Sequence, residues 1–351
     1  MDSLRFNWKT ESPPTTVTIR ERPDLSAAGL AAKGENLFWL VDSAVAGLWP
    51  GVLSESLESK AGHMVMEASE EEKRLPILLE VLNALHRAGA NRTWRMVAVG
   101  GGVSMDIAAL AASLYNRGMH LTLVPTTLLG MVDACLGGKT GVNLAGAKNQ
   151  VGTVFPAERV AVFTGFTSTL PERELRNGMA EAVKTSVIAD RGIAELLLAD
   201  GLEALPEIVR RCLLAKAGVI GDDLHDRGRR QLLNLGHTLG HALEGHSGFD
   251  LCHGEAVSLG MLAAAWMANR LEGGCMYAEL SRTARELGLP CRLRRRVSAD
   301  EVMGYLCRDK KTVDGGRRWI LPMRWEDCRV RRLSAEEELP LLKGALEAIS
   351  P

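Results

Sequence analysis

Between Arg230 and Glu255 the chain reads RQLLNLGHTLGHALEGHSGFDLCHGE, a stretch that holds four of its eight histidines. Arg230, Asn234, His237, His241 and Glu244 fall at i, i+4, i+7, i+11 and i+14, one face of a continuous α-helix, while Leu232, Leu233, Leu235, Leu239 and Leu243 fall mainly on the others. Where such a polar stripe is buried it needs partners, and a metal ion or a charged substrate would serve. The plain alternative is a solvated helix face with incidental histidines. His237 and His241, one turn apart, could chelate an ion together, but the glutamate of HExxH is missing, which disfavours zinc-peptidase chemistry. His253, in DLCHGEAV at the start of the next predicted helix, could equally supply a ligand. In RNGMAEAVK, Asn177, Glu181 and Lys184 stand at i, i+4 and i+7. An exposed Glu–Lys pair is the ordinary explanation of that spacing; if buried, Glu181 becomes a hard-oxygen ligand and Lys184 a group for an anionic substrate. Two histidines plus Glu181 would form a three-ligand site with an open position, as in catalytic zinc, and would leave a histidine for acid–base work near neutral pH. His246, beside a glycine-rich loop, is read as structural or exposed.

A second set of residues suits an anion. In MVAVGGGVSMDIAAL an apolar strand runs through three glycines into a helix, a turn that can bring backbone N–H groups up to a phosphate. It is not GxGxxG, so a plain tight turn competes with a dinucleotide site. Downstream, VPTTLLGMVDACLGGKTGVNLAGAKNQVG gathers Thr126, Thr127, Asp133, Lys139, Asn143, Lys148 and Asn149 in a segment too glycine-rich for one regular helix. Lysines on flexible stems in such a loop act as point charges toward phosphate or carboxylate. A solvated loop is the bland reading; Asp133, Lys139 and the Lys148–Asn149 pair favour a site.

These residues need elements to position them. TVTIRE, NLFWLVD, RMVAVG, HLTLVPTT and RVAVFTGF are short β-rich runs, with PILLEVLNALHRAGA and MDIAALAASLYNRG as amphipathic helices between them, the alternation of a mostly parallel α/β sheet. From about Pro171 strand signals nearly vanish and helical segments follow one another, with only RRWILPMR reading as extended. The change of period predicts an α/β domain over 1–170 and an all-α domain over 171–351, and 351 residues suffice for two cores. With 46% apolar residues, 24% charged residues and a formal net charge of −1, the composition is that of a soluble globular protein with no global attraction to nucleic acid or a membrane. MDSLRFNWKTESPP lacks the apolar core of a signal peptide, and the longest apolar run, LGMLAAAWMA, is too short for a bilayer, so a cytoplasmic location is expected. Seven cysteines without a CxxC pair fit reduced thiols, with Cys135 and Cys252 read as inert.

In order along the chain, GGGVSMD, YNRG, VPTTLLGMVDACLGGKTGVN, AKN, NGMAEAVK, RRQLLNLGHTLGHALE, HGEAVSLGM and RDKKTVDGG resemble the motifs of the sugar phosphate cyclase family, over about residues 67 to 320. The GHTxGHxxE and HGEAV blocks together are the most specific. The resemblance implies a Rossmann-like α/β domain that binds NAD, followed by an all-α domain that binds a divalent metal, zinc or cobalt, within a homodimer that takes a small sugar phosphate. It implies Glu181, His237 and His253 as metal ligands and His241 as a proton-transfer group, with Asp226, Lys184, Lys139 and Asp133 sharing the catalytic work. Arg117, Asp133, Lys139, Asn149, Asn177, Lys184, Lys216, Arg230, Asn234 and one of Lys310 and Lys311 are implied substrate contacts. Asp42, Glu70, Lys73, Gly101, Gly102, Val103, Asp106, Thr126, Thr127, Lys148 and the run Phe166, Thr167, Ser168 and Thr169 are implied NAD contacts.

The chemistry implied is transient oxidation at C5 of the sugar, phosphate elimination, re-reduction and intramolecular aldol closure. Ser69, Met105 and Ala147 stand where the family pattern has glycine, and Asp226 stands for a glutamate. Met105 with SLYNRG and VDA resembles the branch that cyclises sedoheptulose 7-phosphate to valiolone-type products. Against that branch, Lys216, Arg230 and Asn234 suit a substrate carboxylate, so the expected substrate is a seven-carbon keto-acid phosphate, 3-deoxy-D-arabino-heptulosonate 7-phosphate. The alternatives are another cyclase, valiolone-forming or aminodehydroquinate-forming, and a metal-dependent polyol dehydrogenase.

Overall fold

The computed structural model describes residues 2–8, 12–26, 30, 36–58, 62–145, 147–221, 223–226, 228–248, 250–306, 312–313 and 316–351. The chain divides into two compact units, Met1–Pro171 and Glu172–Pro351.

The first unit carries strands β1 (Asp2–Phe6), β2 (Thr15–Arg20), β3 (Leu37–Asp42), β4 (Gly62–Met66), β5 (Arg95–Gly100), β6 (His120–Pro125), β7 (Val142–Leu144), β8 (Ala147–Val151) and β9 (Arg159–Phe163). Its helices are α1 (Ser43–Leu48), α2 (Pro50–Glu58), α3 (Leu75–Arg87) and α4 (Gly102–Leu114). Seven strands form one sheet in the order β1-β2-β9-β6-β5-β3-β4, parallel throughout except for β1 on β2. Every residue of β5 is buried, and β3 is buried up to Asp42, the continuous apolar run of a parallel strand covered on both faces. Because β4 and β5 flank β3 on opposite sides, the winding reverses between β3 and β5. In such sheets ligands bind in the crevice outside the carboxyl ends of the strands at that reversal. Strands β7 and β8 form a separate hairpin.

The second unit is mostly helical: α5 (Glu172–Ala189), α6 (Gly192–Ala199), α7 (Leu205–Ile220), α8 (His237–His246), α9 (His253–Leu271), α10 (Met276–Glu286), α11 (Ala299–Leu306) and α12 (Ala335–Ala348). Helix α9 is buried along most of its length, and α5, α8, α10 and α12 pack on it. The unit also holds an antiparallel sheet of β10 (Thr312–Val313), β11 (Gly316–Arg324) and β12 (Asp327–Leu333), more β structure than the sequence reading allowed. The β12 segment escapes pattern reading because DCRVRRL leaves four consecutive exposed residues and no apolar alternation.

The polar stripe is not one helix. Arg229–Asn234 is 3-10, Gly236 adopts a left-handed φ of 77°, and α8 begins only at His237. Close packing forces the break: a Cβ at Gly236 would lie 2.6 Å from the Val257 carbonyl oxygen and 2.8 Å from Met261 Cγ of α9. Among the described residues no helix is long and apolar enough to cross a membrane.

Candidate functional site

In the second unit, α5, α8 and α9 bring Glu181, His237 and His253 together, with one donor atom of each lying within 4.8 Å of the others. Glu181 is 1% exposed, and its Oε1 lies 3.2 Å from His253 Nε2 and 3.7 Å from His237 Nε2. Lys184, one turn on and also buried, closes an ion pair with the second oxygen, so this Glu–Lys spacing is not the exposed pair that its sequence would ordinarily mean. The partners of Glu181 are ionic: Lys184 engages Oε2, and Oε1 is the oxygen that faces the two imidazoles and a cation bound between them. His237 Nδ1 is 3.1 Å from the Leu235 carbonyl oxygen. A carbonyl only accepts, so Nδ1 carries the proton and Nε2 presents a lone pair toward Glu181. One buried carboxylate and two imidazoles converging on one point are a donor set that fits zinc or cobalt.

Electrostatics suit Glu181 and His237 to that use and leave a proton on His253 for a metal to displace. Burial pushes the Glu181 carboxyl up, but the Lys184 ammonium and His253 outweigh it and hold the pKa at about 2. Burial, then the positive charges of Lys184, His253 and His241, hold His237 well below the usual imidazole value, which keeps it neutral and able to ligate. For His253 burial again opposes the charge, but Glu181 and Glu244 raise its pKa to about 9. His241 is exposed, with its ring centroid 5.2 Å from that of His237 and 5.9 Å from that of His253. It stands outside the Glu181 triad, its ring beside those of His237 and His253 and open to solvent. A second group, His241, Glu244 and His253, shares His253 with the first.

The end of α9 is fastened in a way that the sequence reading missed. Asn177, read as a substrate contact, accepts a short hydrogen bond from Gly254 N through its Oδ1, and its Nδ2 donates to Glu174 at 3.2 Å. A side chain at Gly254 would collide with the Asn177 carbonyl, so only glycine lets α9 sit this close to α5. Arg173 grips Glu255 at 3.0 and 2.7 Å, and Glu255 in turn accepts from Cys252 N at 3.0 Å, closing a capping box over the first turn. The spacing of Cys252 and Glu255 was the available signal. Lys216 on α7 and Arg230 are buried; Arg230 donates to the Leu224 carbonyl, and Asn234 Nδ2 donates to the Gln231 carbonyl at 3.1 Å. Asp226 sits at a left-handed φ of 62° in the loop before Arg230. Lys310 and Lys311 lie outside the described residues.

In the first unit, most residues read as nucleotide contacts gather at the carboxyl ends of the strands. Asp42 ends β3, Gly101, Gly102 and Val103 lead from β5 into α4, Thr126 and Thr127 follow β6, and Phe166 to Thr169 follow β9. Helix α4 has no side-chain cap at Gly101, so its first N–H groups are offered to the crevice at the sheet's reversal. A Cβ at Gly101 would come within 3.0 Å of Thr127 Cγ2, and Thr127 Oγ1 accepts from Gly130 N at 3.1 Å, which packs the two turns together. Asp42 caps α1 through Ala44 N at 2.9 Å, and burial pushes its carboxyl upward. Lys73 pairs with Asp106, while Glu70 accepts from Asn143 Nδ2 at 2.8 Å and faces Lys148 Nζ at 4.0 Å. Asn149 N donates to Asn143 Oδ1 at 2.9 Å, Lys139 bridges to Val154, and Asp133 lies on a π-helical turn, Gly130–Ala134. Phe166 is buried, and the hydroxyls of Thr167, Ser168 and Thr169 donate to backbone carbonyls three residues back. Arg117 is not brought to this edge: it is exposed between the end of α4 and the start of β6, at the amino edge of the sheet.

Comparison with known proteins gives the arrangement a family. Residues 63–177 match the family model described as 3-dehydroquinate synthase N-terminal, and residues 178–312 match 3-dehydroquinate synthase C-terminal. The chain is 38% identical over 336 residues to the 3-dehydroquinate synthase of Teredinibacter turnerae, covering 92% of each chain. It is 38% identical over 310 residues to that of Methylococcus capsulatus, covering 85% of this chain and 86% of that one. Among solved structures, the 2-epi-5-epi-valiolone synthase of Streptomyces hygroscopicus subsp. jinggangensis, with NAD+ and Zn2+ bound, is 28% identical with a TM-score of 0.85, covering 98% of both chains. The chain belongs to the 3-dehydroquinate synthase family.

Proposed function

We propose that this chain is a 3-dehydroquinate synthase, converting 3-deoxy-D-arabino-heptulosonate 7-phosphate to 3-dehydroquinate and phosphate, with NAD and a divalent zinc or cobalt ion as cofactors. The observation that carries the reading is the similarity to the 3-dehydroquinate synthase of Teredinibacter turnerae across 92% of both chains. The buried Glu181, His237 and His253 set supports the metal, and the uncapped end of α4 at the sheet's reversal supports the nucleotide. The valiolone synthase with NAD+ and Zn2+ bound has the same fold.

When bound, NAD would supply the transient oxidation and the metal the Lewis acidity that lowers the pKa of a substrate hydroxyl. Glu181, His237 and His253 would hold the metal. Lys184, fixed against Glu181 in a buried ion pair, supplies a desolvated positive charge for an anionic substrate group. Lys216, Arg230 and Asn234 come from α7 and the 3-10 segment packed on it, and they are the set suited to the substrate carboxylate. His241, exposed beside the ligands, is placed to exchange protons with substrate and solvent. Asp226 joins it as an acid–base group. In the first unit Asp133, Lys139 and Asn149 are read as substrate contacts, with Asp42, Glu70, Lys73, Asp106, Lys148 and the two glycine-bearing turns on the nucleotide. Asn177 serves both as a substrate contact and as the tether of α9, since one bond at each end of its amide leaves an N–H and a lone pair for the substrate.

The same reading includes a homodimer in the cytoplasm, which light scattering and fractionation check. Substrate identity is tested by phosphate release from the keto-acid phosphate and from sedoheptulose 7-phosphate, side by side. Faster turnover of the keto-acid phosphate is expected; faster turnover of sedoheptulose 7-phosphate would move the chain to the valiolone-forming branch.

A further inference from the structure

The two ligand histidines come from different helices and need different supports. For His237 the support is local: the Leu235 carbonyl, 3.1 Å from Nδ1, sets the tautomer. His253 opens α9 and is served from across the helix packing. Glu244 lies on α8, two turns beyond His237 and therefore on the same face, and its side chain is buried. Its Oε2 is 3.5 Å from His253 Nδ1, while Glu181 Oε1 is 3.2 Å from His253 Nε2, ion-pair separations rather than formed hydrogen bonds, so the imidazole lies between two carboxylates.

We propose that Glu244 is a positioning residue for the metal site, holding the Nδ1–H of His253 so that Nε2 faces Glu181 and His237. The proposal rests on the reading of Glu181, His237 and His253 as the ligands. A carboxylate only accepts, so it selects the tautomer with the proton on Nδ1 and leaves the Nε2 lone pair for the metal. Its charge also makes the imidazole a stronger base and hence a stronger ligand. A glutamine at 244 retains an acceptor oxygen and the shape of the side chain but lacks the charge. The competing possibility is that Glu244 is itself a ligand, because His241, Glu244 and His253 also converge closely enough for an ion.

The test compares full-length wild-type protein, His253→Ala and Glu244→Gln. Zinc stoichiometry and dissociation constants are measured by chelator competition, folding by circular dichroism and thermal midpoint, and the His253 tautomer by 15N resonances of zinc-loaded wild type. One zinc per wild-type chain, none in His253→Ala, and a roughly 10- to 100-fold weaker constant in folded Glu244→Gln are expected, with Nδ1 protonated. Equal zinc binding by wild type and His253→Ala would sink the ligand assignment and the proposal with it. One zinc per wild-type chain, lost in His253→Ala but bound as tightly by folded Glu244→Gln, would overturn the role of Glu244 alone. Two zinc ions per wild-type chain, one lost on Glu244→Gln, would make Glu244 a ligand and also overturn it. If Glu244→Gln does not fold, the Nδ1–H proton of His253 in zinc-loaded wild type decides: a downfield resonance protected from exchange, as for a proton held by a carboxylate, supports the proposal, and one that exchanges as freely as an exposed imidazole N–H overturns it.

Discussion

His253 carries a proton that an incoming metal must displace. Burial opposes that charge, but Glu181 and Glu244 hold the pKa at about 9, against an ordinary 6.5. A pKa raised on folding stabilises the protonated fold: in protein stripped of metal by chelation, this contribution is fully present below about pH 6.5 and is lost as pH rises through about 9. Zinc affinity runs the other way and strengthens over the same window, by about tenfold per pH unit for one displaced proton. Titration calorimetry across that window checks the trend, and a flat profile would contradict it. His241 has the opposite profile of effects. Its replacement by asparagine is expected to leave zinc content unchanged and to lower kcat by roughly 10²- to 10⁴-fold, measured by metal analysis and phosphate release on one preparation. The ligand types were legible in the sequence, since Glu181, His237 and His253 are rare donors in conspicuous segments, but residue counting alone left His241 and His253 open. In the structure His253 faces Glu181 at 3.2 Å and His241 falls outside that group, with α9 approaching α8 through Gly236 and Gly260, where a Cβ at Gly260 would strike the Gly236 carbonyl oxygen. The supports, Asn177 on Gly254 and Glu244 on His253, were illegible, because nothing in local spacing tells which helix end meets which face.

At the scale of elements, a single left-handed glycine decides how Arg230 and Asn234 stand relative to His237. A helix of uniform pitch would align the whole stripe, and the periodicity of the sequence is the same whether or not the helix breaks. Gly236→Ala is expected to destabilise the protein by at least about 1–2 kcal/mol, from the left-handed strain alone, with more from the crowding against Val257 and Met261. Chemical denaturation measures it. A second element is held by charge: Glu338 on α12 accepts from Arg317 Nη1 at 2.6 Å and from Trp319 Nε1 at 2.7 Å, all three buried against β11. Removing one partner strands a buried cation, so Glu338→Ala is expected to cost about 3–5 kcal/mol, read from the same denaturation curves. The strands of the parallel sheet were legible because central parallel strands are apolar without interruption, as in RMVAVG. The edge strand β4, GHMVM, alternates between half-buried and exposed residues up to a buried Met66 and was not among the strands legible in the sequence. The meander in the second unit was legible only at RRWILPMR, the buried strand that its partners cover.

For the whole molecule, each unit presents half of the chemistry implied by the family. The first offers an uncapped helix end where the sheet's winding reverses, and the second offers a buried carboxylate, two imidazoles and a desolvated lysine. The claim that joins them is that NAD is used and returned within each catalytic cycle, which separates a cyclase from a dehydrogenase that releases NADH. The direct test supplies 3-deoxy-D-arabino-heptulosonate 7-phosphate in large excess over NAD and follows 3-dehydroquinate, phosphate and absorbance of NADH together. Many equivalents of product and phosphate per NAD, with no net NADH, is the predicted result. NADH accumulating in step with substrate consumption, without phosphate release, would contradict it.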